Sequence, residues 1–284
     1  FEHENIESRD AKVLSWRSLT CQLCALAAGT GRLKVLQYLH ETLKFSWNVT
    51  TADAAAGNGH LEVLQYVHKQ GGVWTAETCA AAAKGGHLDC LIYAHSNGCR
   101  WDGRTCSYAV EGNHFDCLMY AHRNGCELHH SACTAAATVG SLESLQYLHQ
   151  RGCDWGVAVT NAAARQGHLA CLQYAHEQGC EWHASCCSYA AENGHLACLR
   201  YAHEQGCAWN RNTCTFAAAG GHLACLQYAH SQGCPWDERT TQAAAVWHHY
   251  DCLQYAVDRN CPCDEVRRAV YDLHCRGAGN GGIW

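Results

Sequence analysis

Proline is nearly absent: Pro235 and Pro262 are the only two in 284 residues. With alanine abundant, that scarcity favours helix over strand. No apolar run approaches the roughly 20 residues that span a bilayer, so no membrane insertion is expected. Lys and Arg number 20 against 26 Asp and Glu, for a formal charge of -6. A chain without a basic footprint has little with which to neutralise phosphates, and no nucleic acid is expected among its partners. The local signatures of catalysis are missing too: no glycine-rich phosphate loop, no G-x-S-x-G and no H-E-x-x-H. A non-enzyme without a cofactor is expected. The chain begins at Phe1 and shows no secretory hydrophobic region, which leaves open a targeting segment before it.

What is present is a repeat. Tyr66, Tyr93, Tyr120, Tyr147, Tyr174, Tyr201, Tyr228 and Tyr255 follow one another at 27-residue intervals. Tyr38 starts the series one residue out of step, and the stretch "HETLKFSW" carries the extra residue. Most copies read T-C-x-x-A-A-x-x-G-H-L-x-C-L-x-Y-A-H-x-x-G-C-x-W. Fixed-period similarity of this kind marks a stack of supersecondary units. Each copy reads as two short helices. Thr105 or Thr213 is suited to cap the first, and Gly86 or Gly194 to stop it. In the second, Leu196, Cys198, Leu199 and Ala202 share one helical face, and Gly206 suits a left-handed C-terminal cap. Neither helix can bury its apolar face alone, so neighbours must stack. Ala82, Ala109, Ala136, Ala163, Ala190 and Ala217 share one position, where close helix contact is expected.

The segment "TCSYAAENGHLACLRYAHEQGCAWN" resembles an ankyrin repeat through Ala190, Ala191, Gly194, His195, Leu196, Leu199 and Gly206. Each copy is about six residues shorter than the usual 33, with the loss falling where that family projects a β-hairpin. The resemblance implies an all-α, ankyrin-like helical-repeat solenoid with shortened hairpin loops: nine repeats over residues 21–263. Residues 1–20 are expected to form an N-terminal capping helix, and residues 264–284 a C-terminal capping helix and tail.

Most of the 23 cysteines occupy three fixed positions. Cys106, Cys214 and their equivalents form the first, Cys90 and Cys198 the second, Cys99 and Cys207 the third. Small residues replace them freely, as Val35, Val63 and Ser144 do at the second position, which reads as packing. The pair His203–Cys207 and its equivalents form H-x3-C, and a zinc or thiol-rich array is the alternative. The odd count argues against an obligate disulfide framework, and a cytoplasmic or other reducing intracellular compartment is expected. The histidines fall into two sets. His60, His87, His114, His168, His195 and His222 belong to "GH", at the helix–helix turn. His40, His68, His95, His122, His149, His176, His203 and His230 are expected to bond neighbouring carbonyls, and stability is expected to fall below about pH 6 as they charge.

The resemblance implies that an unidentified protein partner binds on the concave face, so the expected role is a non-catalytic interaction scaffold or assembly subunit. Carried residue by residue, the variable positions before each "GH" are Lys84, Glu111, Thr138, Arg165 with Gln166, and Glu192 with Asn193. The turns add Arg104, His183, Arg211 and Arg239. Tyr108, Tyr189 and Phe216 are expected to be packing residues.

Overall fold

The computed structural model describes Trp16 and residues 18–264, and all regular structure among them is helical. The expected C-terminal cap, and all but the end of the N-terminal one, lie outside the described residues. Two compact units divide the chain, residues 1–132 and 133–284. In the first, a helix over residues 18–29 precedes Leu33–Gln37. Three helix pairs follow: Val49–Gly57 with Leu61–Lys69, Ala76–Gly85 with Leu88–Ser96, and Gly103–Glu111 with Phe115–Arg123. In the second, the pairs are Ala132–Val139 with Leu142–Gln150, Val157–Gln166 with Leu169–Glu177, Ser185–Glu192 with Leu196–Glu204, Arg211–Ala219 with Leu223–Ser231, and Glu238–Val246 with Tyr250–Asp258.

Alanine sets how the pairs stack. First helices pack mainly on neighbouring first helices, and the shared alanines Ala55, Ala82 and Ala109 in one unit, and Ala163, Ala190 and Ala217 in the other, are 0% exposed. A methyl at the contact lets two backbones approach closely. Second helices contribute the larger apolar groups, with Leu91, Leu118, Leu172, Leu199 and Leu226 fully buried. Each such leucine stabilises the stack by about 1.5–3 kcal/mol relative to exposure.

The helix starts differ from expectation. Thr105 and Thr213 do not cap; the caps are Asp102 and Asn210, three residues earlier, whose side chains accept from the backbone N–H of Arg104 and Asn212. Asn48, Thr75 and Asp237 do the same for their helices. The backbone is already helical at the repeat's threonine, which is buried as a result. At Thr78 the hydroxyl closes a capping box with Thr75 and donates to Asp53 at 2.6 Å.

The "GH" motif interlocks neighbours. Gly86 ends its helix at φ +76°, and a Cβ there would lie 2.4 Å from Nδ1 of His114 in the following pair. Gly59 stands in the same relation to His87, and in the second unit Gly167 to His195 and Gly194 to His222. Histidines of the set also reach back for a carbonyl: Nε2–H donates to Gly29 from His60 and to Thr138 from His168, both at 3.1 Å, and His87 and His195 bond the backbone of Gly57 and Arg165.

The extra residue near Tyr38 is absorbed as one π-helical turn, Tyr38–Thr42, with Lys44 at φ +58°. Such a bulge adds a residue without breaking the helix. It also changes a partner. Tyr66 donates to Glu41 at 2.9 Å, while His40 turns to the carbonyl of Phe45 at 3.1 Å. Burial first, and then Glu41, push the Tyr66 phenol up to about 12.

Candidate partner-binding surface

The second histidine set is built into a three-ring cluster. In the pair that ends at Ser96, His95 lies flat on Trp101, with ring centroids 3.7 Å apart and planes 14° apart. Its Nδ1 meets the hydroxyl of Tyr120 from the next copy at 3.0 Å, and the Tyr120 ring stands edge-on to both. His68, Trp74 and Tyr93 repeat the arrangement in the same unit. The second unit repeats it around His149, His176, His203 and His230. For these six the expected carbonyl partner is replaced by the hydroxyl of the tyrosine 25 residues on, whereas His40 keeps a carbonyl, that of Phe45.

Cysteine serves as filler with one directed contact. Every cysteine of the described residues is a free thiol, and most are buried. Burial pushes Cys90, Cys117, Cys171, Cys198 and Cys225 up to about 11. The third-position thiols donate to the carbonyl of a residue at the start of their own copy's first helix: Cys99 to Thr75 at 3.1 Å, Cys126 to Asp102 at 3.2 Å and Cys234 to Asn210 at 3.3 Å. First and third cysteines of one copy also touch. The contact raises Cys79 and Cys106 and draws Cys99 and Cys126 down. A thiol donating to a carbonyl keeps its proton, and both members of each pair are buried, so neutral pairs follow from the geometry. In H-x3-C, then, the His95 nitrogen that faces the protein is bonded to tyrosine and the Cys99 thiol to a carbonyl. Among the described residues no three His, Cys, Asp or Glu side chains are grouped to hold a metal ion.

The candidate contact residues form two rows within their units. At the C-terminal ends of first helices stand Lys84 and Glu111 in one unit, and Thr138, Arg165, Gln166, Glu192 and Asn193 in the other. All are exposed except Glu192, which is half-buried. Arg104, His183, Arg211 and Arg239 stand at the opposite ends, at or just before helix starts. A nine-residue helix such as Gly103–Glu111 is about 13 Å long, which keeps the rows apart.

Ion pairs organise the second row. Arg104 bonds Asp102 and Glu77, while Arg211 and Arg239 share Asp237 at 3.2 and 3.1 Å. These bonds, from Arg104 to Asp102 and chiefly from Arg239 to Asp237, hold both carboxyls below the usual range. Being exposed, the pairs add little stability; they fix where guanidinium groups point. His183 instead accepts from the N–H of Ser185 at 3.3 Å, lies 3.2 Å from the Ser185 hydroxyl, and is exposed.

Sequence reasoning missed two members of the first row. Tyr108 and Tyr189 are half-exposed. Lys84 Nζ lies 5.1 Å from the Tyr108 ring centre, and the Arg165 guanidinium lies 3.9 Å above Tyr189. Their place before "GH" was visible, but a pairing 24 residues apart appears only once copies stack.

A solved structure has the same architecture. The ankyrin repeat domain of human ASB11, known from its crystal structure, matches with a TM-score of 0.52 at 17% identity, over 66% of this chain and 99% of that domain. The fold is that of an ankyrin-like repeat protein. No protein-family model matches the chain, and comparison with curated proteins finds no match. The ankyrin-like helix pairs here lack strands among the described residues, and none of their helices is long and apolar enough to cross a membrane.

Proposed function

We propose that this chain is a non-catalytic scaffold that binds a protein partner through the C-terminal ends of its first helices. The observation that carries the reading is the pairing of Lys84 with Tyr108 and of Arg165 with Tyr189. Arginine and tyrosine on a surface are the residue types that dominate binding energy. Held against each other before a partner arrives, they lose little side-chain entropy on binding. Lys84, Glu111, Thr138, Arg165 and Glu192 share one repeat position and differ from copy to copy while the packing framework stays constant, which gives each copy its own chemistry to offer. Arg104, Arg211 and Arg239 form a secondary, charged row.

Quantitative affinity capture with the wild-type chain and with Arg165→Glu/Tyr189→Ala tests the reading. A partner captured by the wild type and depleted at least about tenfold by the variant supports it, since hot-spot changes cost about 2 kcal/mol or more. Partners that all persist on the variant count against this surface.

A further inference from the structure

A second surface lies at the start of the first unit. Trp16, Leu19, Leu23 and Leu26 recur at spacings of three, four and three, one face of a helix. They remain 67%, 44%, 40% and 64% exposed. The following helix sets Val35, 43% exposed, and Leu39 beside them. Leu23, Leu26, Ala27, Val35 and Leu39, with Arg32 at the rim, line a cleft of about 400 Å3. Scattered apolar residues are ordinary on a surface, but a grouped stripe with its own cleft marks an interaction site.

The neighbouring pairs tell what shape fits. Val63 and Val67 hold the positions of Val35 and Leu39 one copy later and are 2% and 1% exposed. Cys90 and Ala94 hold them in the copy after that and are 1% and 0% exposed. The open face is therefore the one on which every later pair receives a helix. Charge then selects among helices. From Trp16 to His40 the sequence contains Arg17, Arg32 and Lys34 and no Asp or Glu. Arg32 and Lys34 are exposed, and neither takes part in the ion pairs of the described residues. A second copy of this chain docked through the same face would bring the same cations to the contact, and like charges facing each other disfavour it.

We propose that this cleft binds an amphipathic helix of another protein, whose apolar i, i+3/i+4, i+7 stripe is bordered by Asp and Glu. The leucines enter the cleft and the carboxylates face Arg32 and Lys34, the helix-in-groove mode of recognition. None of its residues is among the candidate contact residues of the rows, and it stands whether or not those rows bind.

Two synthetic helical peptides test it, sharing one leucine stripe but bordered by glutamate in one and by lysine in the other. Each is titrated against the full chain by fluorescence anisotropy at low salt. The glutamate peptide is expected to bind at least about tenfold more tightly, with an advantage that shrinks at high salt. Leu26→Asp and Arg32→Glu are each expected to weaken it by about tenfold. Both residues are exposed, and a circular-dichroism melt matching the wild type shows that the variants fold. Equal affinity for the two peptides, no binding of either, or binding unchanged in both variants overturns the proposal. So does a wild-type dimer in sedimentation that Leu26→Asp dissolves, because the occupant is then a second copy.

Discussion

The imidazole of His95 sits between two aromatic partners from different copies, stacked on Trp101 at 3.7 Å and bonded to the Tyr120 hydroxyl at 3.0 Å. Leucine is usual at the histidine position in ankyrin repeats, so a directional bond here replaces a non-directional contact. The half-buried site makes that bond worth keeping: an imidazole nitrogen without its phenol loses a partner that water only partly replaces.

Tyr120→Phe is therefore expected to destabilise the chain by about 1 kcal/mol, the usual net worth of one hydrogen bond. His95→Leu in the same background should restore part of the loss, because nothing polar is then left unpaired. Chemical denaturation of the two single variants and the double gives the coupling energy. Strict additivity would show that the two groups do not depend on each other.

Acid should loosen the array, with the first histidine set contributing. Burial, and then the adjacent imidazoles of His114 and His60, hold His87 below the usual histidine range. Burial does the same to His195, with His168 and His222 adding to it, and to His230, where Arg259 adds to it. These groups bind a proton less readily in the folded chain than in the unfolded one. Their contribution is complete above the unfolded value of about 6.5 and is lost as pH falls through and below it. Thermal melts should hold steady from pH 8 to 7 and then drop; a midpoint unchanged down to pH 5 would contradict this.

Gly86→Asn separates two demands made on one residue. Asn113 adopts φ +60° elsewhere in the same unit, so asparagine tolerates the left-handed turn. At Gly86 the new Cβ would also meet the His114 ring at 2.4 Å. A loss of at least about 1 kcal/mol is expected from overpacking. His114→Ser should recover part of it in a thermal melt, whereas no recovery would assign the loss to the backbone alone.

Packing, not chemistry, should govern the cysteines. Cys90→Val is expected to cost less than about 1.5 kcal/mol, as volume-conserving swaps do, because Val63 fills the same position one copy earlier. Cys90→Ser should cost more, since burying a hydroxyl without a partner carries a penalty of about 1–3 kcal/mol. In native-state alkylation read by mass spectrometry, the half-exposed Cys21, Cys153 and Cys263 should label before the buried thiols. Labelling of Cys207 ahead of Cys21 would argue for an activated thiolate.

The repeat made the helix pairs legible, because the tyrosine spacing and the Leu196–Cys198–Leu199–Ala202 face are local patterns. The shared alanines were legible for the same reason: one small residue at one position implies one close contact. Helix starts were misplaced because Thr105 and Thr213 look like caps, while the residues that cap vary among Asp, Asn and Thr. The signal was there as T-x-x-T at Thr75 and Thr78. The partners of His95, Lys84 and Arg165 were not legible, since each lies about one copy away and depends on how neighbours stack. Nor was the π turn at Tyr38, where backbone hydrogen bonding decides how an added residue is taken up.

The match between Gly86 and His114 has a consequence for how such a chain can change length. A copy with both the glycine and the histidine carries a socket and the plug for the socket before it, so such copies fit behind one another, whereas Asn113 stands at the glycine position and Ser141 at the histidine position. Whole copies of the first kind can then be duplicated or lost at the level of the gene without redesigning a junction, whereas a deletion of part of one copy leaves a plug with no socket.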